Sequence, residues 1–213
     1  PQCWWACCED ECQKAGLQQS KFDRCLYFCW DKINGEMQLT GIIGHHVDDF
    51  IGGGTGEKFE AAVAHLRARF PFRRWSKGGG DFCGSQIVQR PDGTIFVGQK
   101  DFTEKMRPIP VPRKVDPTEE CPPEVVKQLR AVLGSGNWLA NQTRLDIAVM
   151  VSMGMQAFPN PTWATVMAAN NMVKRAKESA ELGLTIHPIK FSELTLLGSS
   201  DASQGNATRN GTQ

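Results

Sequence analysis

Residues 39–54 read LTGIIGHHVDDFIGGG, and this stretch decides the fold of the first part of the chain. Two short β-prone runs lie on either side of the adjacent acids Asp48 and Asp49. Neighbouring side chains point to opposite faces along a strand, but at a tight turn they can converge. The pattern therefore predicts a β-hairpin that carries two carboxylates at its tip. It leaves two interpretations open, a metal site or a polar turn.

The elements around this hairpin follow from turn signals and hydrophobic periodicity. Asn34-Gly35 is typical of a two-residue hairpin turn. Residues 52–56 are rich in glycine and predict a flexible loop, in which Thr55 can cap the helix that follows. The prediction for residues 1–71 comprises a helix at 3–16, strands at 25–30 and 37–46, a strand that starts at Phe50, and a helix with the apolar stripe Phe59, Val63, Leu66 and Phe70 that stops at Pro71.

The rest of the chain predicts two more strands, a linker and three helices. Strand-like runs at residues 82–89 and 94–99 are joined through Pro91-Asp92-Gly93, a strong turn signal. Residues 108–123 hold six prolines and predict a linker. Helices are predicted near 123–133, 144–157 and 162–180, and a last strand at 194–199 leads to Asp201.

The composition is that of a globular protein, since 40% of the 213 residues are hydrophobic and 22% are charged. This length predicts one or two domains. No apolar run approaches the roughly 18 residues that a membrane span needs, and the opening PQCWWACCED is not a secretory signal. We therefore expect an intracellular protein without membrane contact. Because the chain begins at Pro1 rather than Met, we also expect a fragment of a longer protein.

Eight cysteines require an explanation, and six of them come before residue 30. They form no CxxC pair of the kind that binds zinc, and nothing marks a secreted disulfide scaffold. We interpret them as small buried hydrophobic residues in a reducing compartment, with a redox or metal role as the open alternative. His45 and His46 are predicted to pack in the hairpin, and Asp146 to cap a helix start.

Charge is spread unevenly along the chain, although the net charge is only +1. Residues 67–114 contain 11 lysines and arginines and four acids, a net charge of +7, whereas residues 1–66 have a net charge of −5. A basic segment beside an acidic pair is typical of proteins that handle polyanions. Arg67, Arg73, Arg74 and Lys77 are candidates to follow a nucleic-acid backbone, and a solvated mixed-charge surface is the alternative.

The hairpin and the glycine run after it are compatible with two kinds of site, a magnesium site and a phosphate-binding turn. Mg²⁺ prefers hard oxygen ligands, commonly one or two carboxylates together with substrate phosphates, and paired ions support phosphoryl transfer. Asp48 and Asp49 fit that chemistry. The run GGGTG followed by a helix outlines a phosphate-binding turn, but Glu57 stands where a dinucleotide fingerprint needs glycine, and no Gly-Lys-Ser/Thr follows. The residues therefore favour a metal site over a nucleotide-binding loop.

Six stretches in order resemble one family. The first stretch, GLQQSKFDRCLYF, is similar to a segment that precedes the polymerase hairpin of that family. The second, HVDDFI, is similar to the hairpin pattern itself, which is Tyr-Val-Asp-Asp followed by a hydrophobic pair. The third, DFCGSQI, is similar to the family pattern Phe-Leu-Gly-Ile-x-Ile. GTIFVGQKDFTEKM, LGSGNWLANQTRLDIA and LLGSSDASQGN resemble the next three segments. Over about residues 16–205, the chain resembles the Pol polyprotein of copia-type LTR retrotransposons, where reverse transcriptase runs into ribonuclease H.

The resemblance implies a fold and a domain order. It implies an α+β fold, with part of a reverse-transcriptase palm, a helical thumb or connection segment, and a truncated ribonuclease H-like strand. The corresponding ranges are residues 1–107 for the palm, 108–123 for the proline-rich linker, 124–193 for the helical segment and 194–213 for the start of ribonuclease H.

The resemblance also implies roles for individual residues. Asp48 and Asp49 would be two of three palm carboxylates that bind Mg²⁺ or Mn²⁺, and Asp201 the first metal-binding acid of ribonuclease H. His46, Phe82 and Gly84 would lie near the primer. The implied partners are an RNA template, a DNA primer, a dNTP and the rest of the Pol polyprotein. The implied location is a cytoplasmic particle or the nucleus.

This sequence departs from the family pattern at three points. His46 replaces the tyrosine before Val-Asp-Asp, Leu145 replaces a proline, and the third palm carboxylate and the later ribonuclease H acids have no counterpart among the 213 residues. We therefore expect this segment to be inactive alone. The alternatives are a decayed or domesticated remnant that binds nucleic acid without catalysis, and an unrelated metal-binding or phosphate-binding α+β protein.

Overall fold

An antiparallel meander forms the centre of the first part of the chain. In the computed structural model, which describes residues 2–190, 193–195 and 197–198, the chain divides into two units, residues 1–83 and 84–213. The first unit has a sheet with the strand order β1-β2-β3-β4. Its elements are α1 (Gln2–Lys14), β1 (Gln18–Gln19), β2 (Leu26–Ile33), β3 (Glu36–His46), β4 (Asp49–Gly54), α2 (Glu57–Arg69) and β5 (Gly79–Phe82).

One face of this sheet is buried beneath the two helices. Alternate residues of β2, Tyr27 and Cys29, are fully buried or nearly so, and Ile43 of β3 is buried beside them. The apolar stripe predicted for α2 is confirmed, because Phe59, Leu66 and Phe70 are buried and Val63 is partly buried. Since side chains alternate along a strand, the residues between these positions project from the opposite face.

The turn predictions are confirmed where glycine or asparagine supplies a left-handed backbone. Asn34 and Gly35, which join β2 to β3, have φ angles of 53° and 91°, as a two-residue hairpin turn requires. Helix α1 ends close to the predicted Gly16, whose φ is 78°. Sequence signals at tight turns thus located the elements of the first unit well.

The predicted glycine loop at residues 52–56 is wrong over most of its length. Gly52 and Gly54 belong to β4 and pair with Ile43 and Gly41 of β3. The reason is packing, because a Cβ on Gly41 or Gly54 would lie only 2.1 or 2.6 Å from ring atoms of Phe59. The Phe59 ring therefore rests directly on the backbone of two paired strands.

The predicted helix cap at Thr55 is also wrong. Gly56 is the N-cap residue of α2, with φ 89°, and no side-chain hydrogen bond caps the helix. Glu57 and Glu60 in the first turn instead favour the helix N-terminus through their negative charge.

The second unit combines a small sheet with a group of helices. Strands β6 (Ser85–Gln89), β7 (Ile95–Gly98) and β8 (Gly183–Ile186) pair in that order, all antiparallel. The helices are α3 (Lys100–Lys105), α4 (Pro123–Gln142), a 3-10 turn (Leu145–Ile147), α5 (Ala148–Gln156) and α6 (Trp163–Glu178). The three predicted helices are confirmed, α4 being longer than expected, while α3 and β8 had no sequence prediction.

The strand predicted at residues 82–89 is interrupted. Cys83 and Gly84 both have positive φ, 49° and 76°, and they separate β5 from β6. The turn at Pro91-Asp92-Gly93 is confirmed. There, the Asp92 carboxylate accepts hydrogen bonds from the amide and hydroxyl of Thr94, at 3.0 and 2.7 Å.

The proline-rich segment 108–123 forms no helix or strand before Pro123, yet it packs against the helical core. The Asn170 side chain of α6 clamps the buried Ile109, accepting from its amide and donating to its carbonyl, both at 2.8 Å. Further along, Glu120 forms an isolated β-bridge with Thr162. In the structure this segment is an integral part of the second unit.

Asp146 lies in the first turn of the 3-10 helix, as a role at a helix start predicts, but it is not the N-cap residue and makes no capping hydrogen bond. Its two carboxylate oxygens accept hydrogen bonds at 2.8 and 3.0 Å from the guanidinium of Arg144, a residue that is only 1% exposed. The same guanidinium donates to the Ala176 carbonyl at 2.9 Å. Hydrogen bonding to Arg144 lowers the pKa of Asp146. The pair fixes the 3-10 turn against the end of α6.

The α+β class is confirmed, whereas its finer assignment remains a prediction. The predicted strand at 194–199 is not seen at its described residues, since Leu194, Thr195, Leu197 and Gly198 belong to no strand. Asp201 lies outside the described residues. No helix in the described part of the chain is long and apolar enough to cross a membrane.

Candidate functional site

The tip of the β3–β4 hairpin brings the candidate acids together. His46 and Asp49 face each other as the last paired residues, so Val47 and Asp48 form a two-residue turn. Val47 has a φ of 55°, a left-handed conformation that is a clear outlier for a β-branched residue. Asp48 thus lies in the turn itself and Asp49 at the first position of β4, rather than both lying at the end of a strand.

Both carboxylates are available for a ligand. Asp48 and Asp49 are exposed, and among the described residues no side chain or backbone amide forms a hydrogen bond or ion pair with either. Five of the nine other acids of the first unit do have such a partner among the described residues. Glu11, for example, contacts Lys14, His65 and Arg69. The tip therefore presents two uncompensated negative charges to solvent.

The two histidines before the turn have opposite environments, as the alternation along β3 requires. His45 is 6% exposed, and its ring stacks at 6.0 Å on Tyr27 and at 5.4 Å on Phe50. Burial lowers the pKa of His45. The predicted packing role is confirmed for His45, whereas His46 is exposed on the other side of the strand.

The open face of the sheet extends from the hairpin tip. His46 and Asp49 project from the same side as Ile42 and Ile51, which are 37% and 38% exposed. Phe28 of β2 pairs with Ile42 and is partly exposed on this side. This side of the sheet thus carries partly exposed apolar residues along the strands and polar residues at the hairpin end.

The Cys83 turn after β5 lies close to the acids. The pKa of Cys83 is raised, first by burial and second by the negative charge of Asp49. Phe82, beside it, is partly exposed, and Gly84 begins the second unit. The structure thus brings one end of the predicted primer-contacting segment near Asp49.

The predicted basic residues lie on α2 and on the segment that follows it. Arg67 places its guanidinium 4.9 Å from the centre of the Trp75 ring, and Trp75 is 46% exposed. Arg73 and Arg74 are exposed, as is Lys77, whose ammonium group lies 3.8 Å from the Glu60 carboxylate. These residues form an exposed surface of cations and one aromatic ring, here called the basic segment (Arg67, Arg73, Arg74, Trp75 and Lys77).

The basic segment is tied to the hairpin through aromatic packing. Phe72 contacts Trp75 at 5.5 Å between ring centres and Phe50 at 5.4 Å, edge to face. Phe50 is the β4 residue that follows Asp49 and faces the buried side. Phe72 had no sequence prediction, because its partner lies 22 residues away and no local pattern marks the contact.

The prediction that the cysteines are small buried residues is confirmed for three of the eight, while four are partly buried and Cys3 is exposed. All eight lie in the described part of the chain and are free thiols, and Cys8, Cys12 and Cys29 are buried. Burial raises the pKa of Cys8 to about 11 and that of Cys12 to about 12. Both thiols therefore stay protonated at neutral pH, which disfavours the thiolate chemistry that redox or metal roles need.

The sequence predicts Trp4 as a core residue, and in the structure it is partly buried against the core of the first unit, but no local pattern predicts its hydrogen bond. Its indole Nε1–H donates a hydrogen bond to the Val47 carbonyl at 2.6 Å, across 43 residues.

No cluster of three or more histidine, cysteine, aspartate or glutamate side chains arranged to hold a metal occurs among the residues that the structure describes. Comparisons with family models, curated proteins and solved structures found no match to this chain.

Proposed function

We propose that this chain is part of an RNA-directed DNA polymerase of the copia-type retrotransposon kind, with Asp48 and Asp49 as metal-binding acids. The observation that carries the proposal is the two-residue turn at the hairpin tip, which presents both carboxylates, exposed and unpaired, beside an open sheet face. The ordered series of six sequence motifs supports the same assignment.

The residues present fit Mg²⁺ or Mn²⁺ in type but not in number. Carboxylate oxygens are the hard ligands that these ions prefer, and Mg²⁺ keeps several waters when a protein supplies only one or two carboxylates. Asp48 and Asp49 would hold the ion. No third acid joins them in a cluster within the described part of the chain, so we expect the ion to be bound weakly.

The remaining chemistry follows from how this chain would place its substrates. Bound metal ions would stabilise the negative charge that develops when a primer 3′-hydroxyl, losing its proton to solvent, attacks the α-phosphate of a dNTP and pyrophosphate leaves. The open face, with Phe28, Ile42 and Ile51, would support the sugar and base surfaces of a primer. Arg73 and Arg74 would neutralise backbone phosphates of the template, and His46 would lie beside the primer end, where the family has tyrosine.

The test of the proposal compares acids at the tip with an acid elsewhere. Asp48→Asn and Asp49→Asn should each weaken Mn²⁺ binding, measured by water-proton relaxation, because each removes one charged ligand. Asp81→Asn is the control, since Asp81 is also exposed in the first unit. Equal Mn²⁺ binding by all four proteins would contradict the proposal.

Catalysis is tested on a longer protein. Residues encoded on both sides of this segment would be added until the three palm carboxylates of the family pattern are present. That protein should then extend a DNA primer on an RNA template in the presence of Mg²⁺, and the Asp49→Asn variant should not. A longer protein that binds metal but never extends a primer would favour the second candidate.

The second candidate is a remnant that binds nucleic acid without catalysis, and the basic segment favours it. Binding of single-stranded RNA should weaken with salt by roughly 0.7 log units per log unit of salt for each phosphate contacted. The double change Arg73→Ala with Arg74→Ala should therefore reduce that slope by about 1.4. Arg113→Ala with Lys114→Ala removes the same charge from exposed positions of the second unit and should leave the slope unchanged.

A further inference from the structure

Within the described part of the chain, one long-range hydrogen bond from outside the hairpin reaches its tip. The indole N–H of Trp4, near the start of α1, donates to the carbonyl oxygen of Val47 at 2.6 Å. Val47 is the turn residue with the left-handed backbone, φ 55°. A β-branched residue is costly in this conformation, so the surrounding structure must hold it there.

The Trp4 ring is itself fixed by aromatic contacts beneath the hairpin. It packs on Phe70 at 5.2 Å between ring centres, Phe70 contacts Phe50 at 5.9 Å, and Phe50 stacks on His45 at 5.4 Å. Phe50 and His45 are the paired residues just inside the turn. The row of rings therefore connects the indole to both strands of the hairpin.

Helix α1, which carries Trp4, is fastened to α2 by a buried acid. The Glu11 side chain is 8% exposed, and its carboxylate lies 2.9 Å from the His65 ring nitrogen and 3.4 Å from the Arg69 guanidinium. The two partners are one turn apart on α2. An indole on this helix thus has a fixed position relative to the sheet that α2 covers.

We propose that Trp4 is a positioning residue for the acidic pair. Its N–H fixes the direction of the Val47 carbonyl, and because the peptide bond is planar, this fixes the amide plane that leads into Asp48. The turn then presents the Asp48 and Asp49 carboxylates in one arrangement rather than several. This inference rests on the proposed role of the pair in binding a divalent ion.

The variant Trp4→Phe separates positioning from packing, because it keeps an aromatic ring on Phe70 and removes only the donor. Its matched control is Trp5→Phe, since the Trp5 ring lies 5.6 Å from the Arg24 guanidinium and its indole N–H forms no hydrogen bond to any of the described residues. The readouts are Mn²⁺ affinity by water-proton relaxation, and the ¹⁵N relaxation and chemical shifts of the Asp48 and Asp49 amides.

We expect Trp4→Phe to weaken Mn²⁺ binding by about threefold to tenfold, the range that corresponds to one net hydrogen bond. The Asp48 and Asp49 amides should shift and become more mobile on the fast timescale, while the far-ultraviolet circular dichroism stays that of the native fold. Trp5→Phe should change neither readout.

The outcomes separate the two ideas. If the unmodified chain binds no Mn²⁺, the proposed function fails, while the amide relaxation still tests whether Trp4 orders the turn. If the chain binds Mn²⁺ and Trp4→Phe binds it equally with unchanged amide signals, the positioning role of Trp4 is overturned.

One measurement needs no variant and guards against a Trp4→Phe protein that does not fold. In the unmodified chain the Trp4 indole proton should exchange with solvent more slowly than the Trp5 indole proton, because only the former is hydrogen-bonded to the turn. Equal exchange rates of the two indoles would also overturn the proposal.

Discussion

Replacing Gly54 by alanine should damage the first unit, whereas replacing its neighbour Gly53 should not. A Cβ at Gly54 would lie 2.6 Å from Cγ of the Phe59 ring, 2.6 Å from the Thr40 carbonyl oxygen and 2.7 Å from the Gly41 Cα. Two of these three atoms belong to the backbone of β3 and cannot rotate away. A Cβ at Gly53 would meet nothing within 4 Å.

The expected sizes follow from these distances. Overpacking of a filled site costs about 1–3 kcal/mol, and Gly54→Ala should lie at the upper end because the clash is with backbone. Gly53→Ala restricts the unfolded chain without strain in the folded one, which stabilises by about 0.4–1 kcal/mol. The two alanine variants should therefore differ by about 3–4 kcal/mol in the free energy of unfolding of the first unit.

Hydrogen exchange measured by mass spectrometry is the assay, because peptides that cover β3 and β4 report on the first unit separately from the helices of the second. Exchange in these peptides should speed up strongly in Gly54→Ala and stay equal or slow down in Gly53→Ala. Equal protection in both variants would refute the packing of Phe59 on the glycine pair. In that case the glycine run would again be open to interpretation as a loop.

Three further predictions concern the turn, the buried histidine and the proline-rich segment. Val47→Gly should raise the free energy of unfolding by about 0.5–1 kcal/mol in thermal denaturation. Val47 is 64% exposed, and the backbone strain that its β-branched side chain causes in the left-handed conformation is larger than the conformational entropy that glycine adds to the unfolded chain. His45→Phe should flatten the pH dependence of the melting temperature. Burial lowers the pKa of His45 below its ordinary 6.5, so the unfolded chain binds a proton first and the native protein loses stability as pH falls below about 6.5. Asn170→Ala should destabilise the second unit by about 2–4 kcal/mol in urea because it leaves two buried backbone groups of Ile109 unpaired, whereas the exposed Asn171→Ala should change little.

Local signals predicted the elements that local physics determines. The stripe on α2, the Asn34-Gly35 turn and the Asp92-Gly93 turn all depend on residues within one helical turn or one hairpin, and the structure confirms them. The acidic hairpin was also predicted from local signals, although its turn is formed by Val47 and Asp48 rather than by Asp48 and Asp49.

The errors occur where distant contacts override local preference. Glycines 52–54 carry no side chains, so they give no alternating pattern, and their place in β4 depends on pairing with residues 43–41 of β3. Strand β8 pairs with β7, nearly 90 residues before it, and the hydrogen bond from Trp4 to Val47 spans 43 residues. No window of sequence contains both partners of such contacts.

The glycine run and the acidic pair are linked by strand register. Side chains alternate with a period of two, so the packing of Phe59 on Gly54 also places Phe50 toward the core and Asp49 on the open face. A slip of one residue in β4 would turn Asp49 toward His45 and the aromatic core, and would expose Phe50. An uncompensated carboxylate buried among aromatic rings is strongly unfavourable. The glycines that resemble a phosphate-binding loop therefore affect the acids indirectly. They allow the Phe59 ring to contact the strand backbone, and this contact selects the register of β4 against β3 in which both carboxylates reach solvent.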